Sequence, residues 1–155
     1  MEQKTKIKAE DGKQELLITR IFDLPLDLLF KAFTEPELIE QWMGNKVLKM
    51  ENKAHGNYQF ETKDTKGNIV SRANGSIHKI IHNQNIIRTF EMESMNFPVQ
   101  LEFLDFKSIN DKLSKLDMKI IFKSVSDRDN LLKLPFEKGI NMAHNQLEKA
   151  IKRIK

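Results

Sequence analysis

The sequence predicts an α+β fold: an antiparallel sheet, wet on one face and covered on the other by a long C-terminal helix. Three observations carry that prediction. From Val47 to Ser124 apolar residues recur with period two in six runs, separated by turn-rich segments. From Phe136 onward the apolar period becomes that of a helix and stays so to the end of the chain. Between Pro25 and Trp42 two shorter helical runs interrupt the strand pattern.

The elements follow in chain order. TKIKA and QELLITRIF flank Glu10-Asp11-Gly12-Lys13, and Asp-Gly tolerates the positive φ angles of a tight turn, so the first element reads as a hairpin. Pro25 suits the first turn of a helix, and Asp27 lies near its positive end. Leu26, Leu29, Phe30 and Phe33 then recur at helical spacing. Thr34-Glu35-Pro36 breaks that run and starts a second helix, in which Leu38, Ile39 and Trp42 share one face. The six strands that follow read VLKME, NYQFET, VSRANGSIHKIIH, NIIRTFEME, VQLEFLDF and KLDMKIIFKS. Asn96-Phe97-Pro98 is one of the turns expected between them. The last strand alternates most clearly, with Leu116, Met118, Ile120 and Phe122 on one side and Asp117, Lys119 and Lys123 on the other.

Ser126, followed three residues later by Asp129, resembles a helix-capping start, and Pro135 separates a short turn from the long helix. Phe136, Ile140, Ala143, Leu147, Ala150, Ile151 and Ile154 then form a single apolar stripe. Burying it contributes roughly 10 kcal/mol gross, at about 1.5–3 for each large side chain. Chain ordering offsets much of this.

Composition narrows the function classes. A chain of 155 residues with 39% hydrophobic and 31% charged content is expected to form one domain spanning residues 1–155. There is no cysteine, which excludes disulfides and thiolate metal sites. The opening MEQKTKIKAEDGKQE is polar and mixed in charge, unlike a signal peptide, and no apolar run is long enough for a bilayer. The compartment expected is the cytoplasm, with no membrane partner. The net charge is +4, but the lysines are scattered and no aromatic residues interleave with them. The densest basic cluster, Lys149, Lys152, Arg153 and Lys155, complements the negative end of a helix dipole. Nucleic acid is therefore not an expected partner.

Motif chemistry is sparse. No phosphate loop, nucleophile elbow or H-E-x-x-H pattern occurs. His78 and His82 lie on one predicted strand, roughly 13 Å apart, whereas zinc holds each nitrogen at about 2.0–2.1 Å. No metal or cofactor is expected. His55 falls in a turn, and His144 flanks the stripe of the closing helix. Arg88 shares a strand face with Ile86, Phe90 and Met92. A charge there needs an internal carboxylate, a ligand's carboxylate or phenolate, or a bulge that turns it outward. Glu102 is expected to face water, opposite Val99, Leu101 and Phe103, and Arg128-Asp129 reads as a local ion pair or cap. No catalytic residue is assigned.

The set of local motifs resembles a known family. Ile18-Thr19-Arg20-Ile21-Phe22-Asp23-Leu24-Pro25 is similar to its first strand and helix entry, and Phe30 to Leu38 with Gln41-Trp42-Met43-Gly44 to its A-W-T-D-P … Q-W-W-G signature. His55-Gly56-Asn57-Tyr58, Gly75-Ser76-Ile77, Ile86 to Phe90, and Gly139 with Leu147 extend the match along almost the whole chain. The family is that of bacterial proteins resembling the C-terminal domain of the activator of heat-shock protein 90 ATPase, within the START-like helix-grip superfamily. Met43 and His55 depart from its pattern, as does the lack of a tryptophan near His144.

The resemblance implies a curved sheet gripping the long helix, a cavity between them, and Trp42 near its rim. It implies a small hydrophobic or amphipathic ligand, with Trp42, Tyr58, Phe60, Phe90, Met118 and Phe122 expected on the walls. Arg88, which stands where family members often have an apolar residue, and His144 are expected from their own places in the strand and helix patterns to supply polar contacts. Two alternatives stay open at this point. One is a cyclase- or dehydratase-like enzyme in which His144 carries the proton. The other is a chaperone-associated interaction domain. The eukaryotic activators carry a further N-terminal domain with no counterpart in this sequence, so stimulation of a chaperone ATPase is not expected. Monomer and homodimer are both compatible with the sequence.

Overall fold

Short turns between period-two runs pair successive strands, and one long-range pairing sets the first hairpin beside the last strand. A computed structural model describes residues 4–93 and 97–154. Eight strands are seen among them: β1 (Lys6–Lys8), β2 (Glu15–Phe22), β3 (Lys46–Met50), β4 (Asn57–Lys63), β5 (Ile69–Ile81), β6 (Asn85–Met92), β7 (Phe97–Ser108) and β8 (Ser114–Ile121). They form one sheet in the order β1-β2-β8-β7-β6-β5-β4-β3, antiparallel throughout. The first hairpin closes where Lys13 N–H donates to the Glu10 carbonyl at 3.3 Å and Gly12 takes a φ of +77°. Between β2 and β3 lie α1 (Leu26–Thr34) and α2 (Pro36–Met43). Gly44 ends α2 at φ +68°, its N–H donating to the Glu40 carbonyl, an ending that glycine adopts without a Cβ clash.

After β8 come α3 (Val125–Leu132) and α4 (Phe136–Lys152). The α+β arrangement with two short helices and a long closing helix is the one expected. The core lies on the inner face of the central strands. Leu16 and Ile18 of β2 stand opposite Ile120 and Met118 of β8, with Leu104 and Phe106 of β7 beside them. Leu29, Phe30 and Phe33 of α1 and Leu147 and Ile151 of α4 complete this cluster. A smaller one, Ile39, Tyr58, Phe60, Ala73 and Ile77, lies under the β4–β5 end.

Several expectations are corrected. β7 presents Glu102, Leu104 and Phe106 inward, while Val99 is half exposed. Its sequence is apolar on both alternating faces, and the register with β8 decides between them: Glu102, Leu104 and Phe106 stand opposite Ile120, Met118 and Leu116. β7 also starts at Phe97 and includes Pro98, where a turn was expected; Asn96 of that turn lies outside the described residues. The cap of α3 is Ser124, whose Oγ accepts from Asp127 N–H at 3.0 Å, and not Ser126. Ile154, the last residue of the stripe, is exposed.

Candidate functional site

The two halves of α4 differ in what they meet. Leu147, Ala150 and Ile151 are buried against the core. One and two turns earlier the side facing β6 and β7 carries Ala143 and Gly139, too small to reach the sheet. A Cβ built on Gly139 would meet nothing within 4 Å. The result is an apolar cavity of about 580 Å³. Phe90, Met92 and Gln100 form its floor, α4 roofs it with Phe136, Ile140 and Ala143, and Leu131, Leu134 and Pro135 close one end. This volume lies within the usual range of small-molecule sites, about 300–1,000 Å³.

Gln100 is the one polar side chain among these lining residues. Its Nε2 donates to Glu102 Oε2 at 2.8 Å, and Glu102 Oε1 accepts from Arg88 Nε, also at 2.8 Å. The Arg88 guanidinium lies over the Tyr58 ring, 5.3 Å from its centroid. The cation on the apolar face is therefore neutralised internally by the carboxylate of the adjacent strand. A charge-assisted pair with both carboxylate oxygens occupied is the arrangement that makes such burial tolerable.

A second, much smaller hollow of about 40 Å³ adjoins Phe90. Trp42, Phe60, Arg88 and Phe33 are among its walls. That volume holds a few water molecules at most, given that one needs about 10–15 Å³. Phe90 lines both hollows and stands between them.

The residues expected from sequence fall into separate places. Phe90 alone among them lines the large cavity. Trp42, Phe60 and Arg88 border the small hollow; Trp42 donates from Nε1 to the Ala32 carbonyl at 2.7 Å and packs on Phe33. Tyr58 is buried, and its hydroxyl donates to the Thr89 carbonyl at 2.5 Å. Burial pushes its phenol pKa up. Met118 and Phe122 are core residues lining neither hollow. His144 is buried on the side of α4 nearer β1 and β2: its Nδ1 lies 2.9 Å from Thr5 Oγ1, and its ring meets Phe22 edge-on. Burial first, and the positive charge of Arg20 second, hold its pKa down at about 3.

Ile140, Ala143 and Phe136 were visible in the helix stripe without being read as lining. The size pattern was the available signal, since Gly139 and Ala143 interrupt a row of bulky residues. Gln100 carries no such signal, because β7 is apolar on the face of Val99, Leu101 and Phe103, and that alternation by itself points Gln100 to water.

Among the described residues no helix is long and apolar enough to cross a membrane, and no three His, Asp or Glu side chains gather to hold a metal.

The family model for Activator of Hsp90 ATPase homolog 1-like protein matches residues 23–152. No curated protein sequence matches the chain. Several solved structures share its architecture. A crystal structure of a Rhodobacter sphaeroides protein superposes with a TM-score of 0.81 at 16% identity, over 97% of this chain and 100% of that one. A solution structure from Arthrobacter aurescens gives 0.84 at 11% identity, over 96% and 91%. One from Staphylococcus epidermidis gives 0.80 at 20% identity, over 97% and 95%. At such identities the likeness concerns the fold.

Proposed function

The chain belongs to the Activator of Hsp90 ATPase homolog 1-like family, and from that premise we propose that it binds a small, mainly apolar molecule between β6–β7 and α4. The observation that carries this reading is the cavity of about 580 Å³, bordered by apolar side chains and a single amide. The space is open to solvent where Leu134 and Pro135 are exposed, so in the free protein water covers an apolar lining. A ligand releases that water and buries its own surface as well, at roughly 25 cal/mol per Å² gross.

Enzymatic use of the same space is less well supported. Catalysis by proton transfer requires a titrating group within reach of the substrate, and Gln100 and the apolar side chains around it do not titrate. His144, the proton carrier that an enzyme of this kind would use, lines neither hollow. Activation of a chaperone ATPase forms no part of the reading.

The test is a thermal-shift screen of hydrophobic compounds, combined with mass spectrometry of natively purified protein for a retained small molecule. A compound at one hundred times its Kd stabilises by about 2.7 kcal/mol, which for a chain of this size raises Tm by roughly 5–10 °C. A broad screen in which no compound moves Tm, with nothing retained on purification, overturns the reading.

A further inference from the structure

Resting on that reading, we propose that the cavity prefers an uncharged, hydroxyl-bearing apolar molecule and disfavours a carboxylate of the same length. The argument starts from Glu102. An ionised carboxylate only accepts hydrogen bonds, so the Gln100 amide must turn its NH₂ toward Glu102, as it does at 2.8 Å. The Gln100 carbonyl oxygen, an acceptor, and the second N–H of the same amide are then the polar groups that this side chain has left for a ligand. The other Glu102 oxygen is taken by Arg88. Arg88 borders the small hollow beyond Phe90, so the cation that would otherwise attract an anion is committed elsewhere.

A ligand hydroxyl can donate to the Gln100 carbonyl and accept from the second amide N–H, whereas an ether oxygen can only accept. A ligand carboxylate can only accept, and among the described lining residues it finds one neutral side-chain donor, the second Gln100 N–H, with the Glu102 carboxylate behind it. Desolvating an anion without a countercharge is the expensive case, whereas a neutral hydrogen bond among apolar side chains is favourable and directional.

Three probes of equal chain length separate the possibilities: 1-decanol, its isomer 1-methoxynonane, and decanoate at pH 8. Binding is measured by titration calorimetry on the intact chain. The expected order is decanol first, the ether about tenfold weaker for want of a donor, and decanoate weaker still. Gln100→Leu is expected to bring decanol and the ether to equal affinity. The wild-type order stands without the variant, should Gln100→Leu fold poorly. Decanoate binding as well as or better than decanol overturns the selectivity and leaves the cavity reading in place, as does equal binding of decanol and the ether. The selectivity also falls if none of the three binds while another hydrophobic compound raises Tm. If nothing of any class binds, the cavity reading falls with it.

Discussion

A buried cation must be matched, and Arg88 shows how far that rule reaches from sequence alone. Its position on an apolar strand face was legible from Ile86, Phe90 and Met92, and so was its need for a carboxylate. The partner was not, because β7 alternates apolar residues on both faces and only pairing with β8 turns Glu102 inward. His144 poses the same question with the opposite solution, since it is kept neutral. Arg20 Nη1 donates to Thr5 Oγ1 at 3.3 Å, which leaves the Thr5 hydroxyl proton for His144 Nδ1. With a folded pKa of about 3 against 6.5 when unfolded, the unfolded chain binds the extra proton between those values. Stability from this residue is complete above pH 6.5 and declines as the pH falls toward 3. Between pH 7 and pH 5 the loss is about 2 kcal/mol. Urea unfolding across that range is expected to show it, with the slope flattened in His144→Gln. A His144 imidazole, assigned by its loss in His144→Gln, that titrates near 6.5 by NMR would contradict this account.

At the level of elements, the β4–β5–β6 end departs from a regular ladder. The register shifts between Ile77 and Lys79, and near the shift the Thr89 carbonyl takes its hydrogen bond from the Tyr58 hydroxyl, reaching across β5. Gly75 stands directly opposite Tyr58 and makes that crossing feasible. A Cβ there would lie 2.0 Å from the Thr89 oxygen and 2.7 Å from the Tyr58 hydroxyl. Gly75→Ala is therefore expected to destabilise by about 3 kcal/mol, read from the urea midpoint; a loss under about 0.5 kcal/mol would show that β5 and β6 separate easily. Strand existence here followed from period two and turn residues. The cross-strand bond and the bulge did not, since nothing local encodes which carbonyl a phenol will find.

Over the whole molecule, α4 combines a stability-bearing half with a half that leaves space. The amphipathic stripe revealed the helix and its side toward the sheet. It did not reveal that the two halves pack differently, because that depends on the distance to β6 and β7 and not on polarity. Gly139 offers a direct probe. Gly139→Ala is expected to stabilise by up to about 1 kcal/mol through helix propensity alone, with ligand binding retained. Gly139→Leu is expected to show a similar propensity gain while weakening ligand binding at least tenfold. Equal ligand affinity in the two variants, measured by calorimetry with a compound found in the Tm screen, would mean that the ligand sits elsewhere.

The sheet is open, and its two borders bear on how the protein behaves in concentrated solution. One border is β1, Lys6-Ile7-Lys8, and the other is β3, whose register slips between Val47 and Lys49. Brief, lysine-bearing or irregular margins give a neighbouring chain little backbone to zip onto, and they repel a second copy of themselves. Crowded molecules should thus remain dispersed rather than grow into fibrils, even though the sheet they carry is eight strands wide.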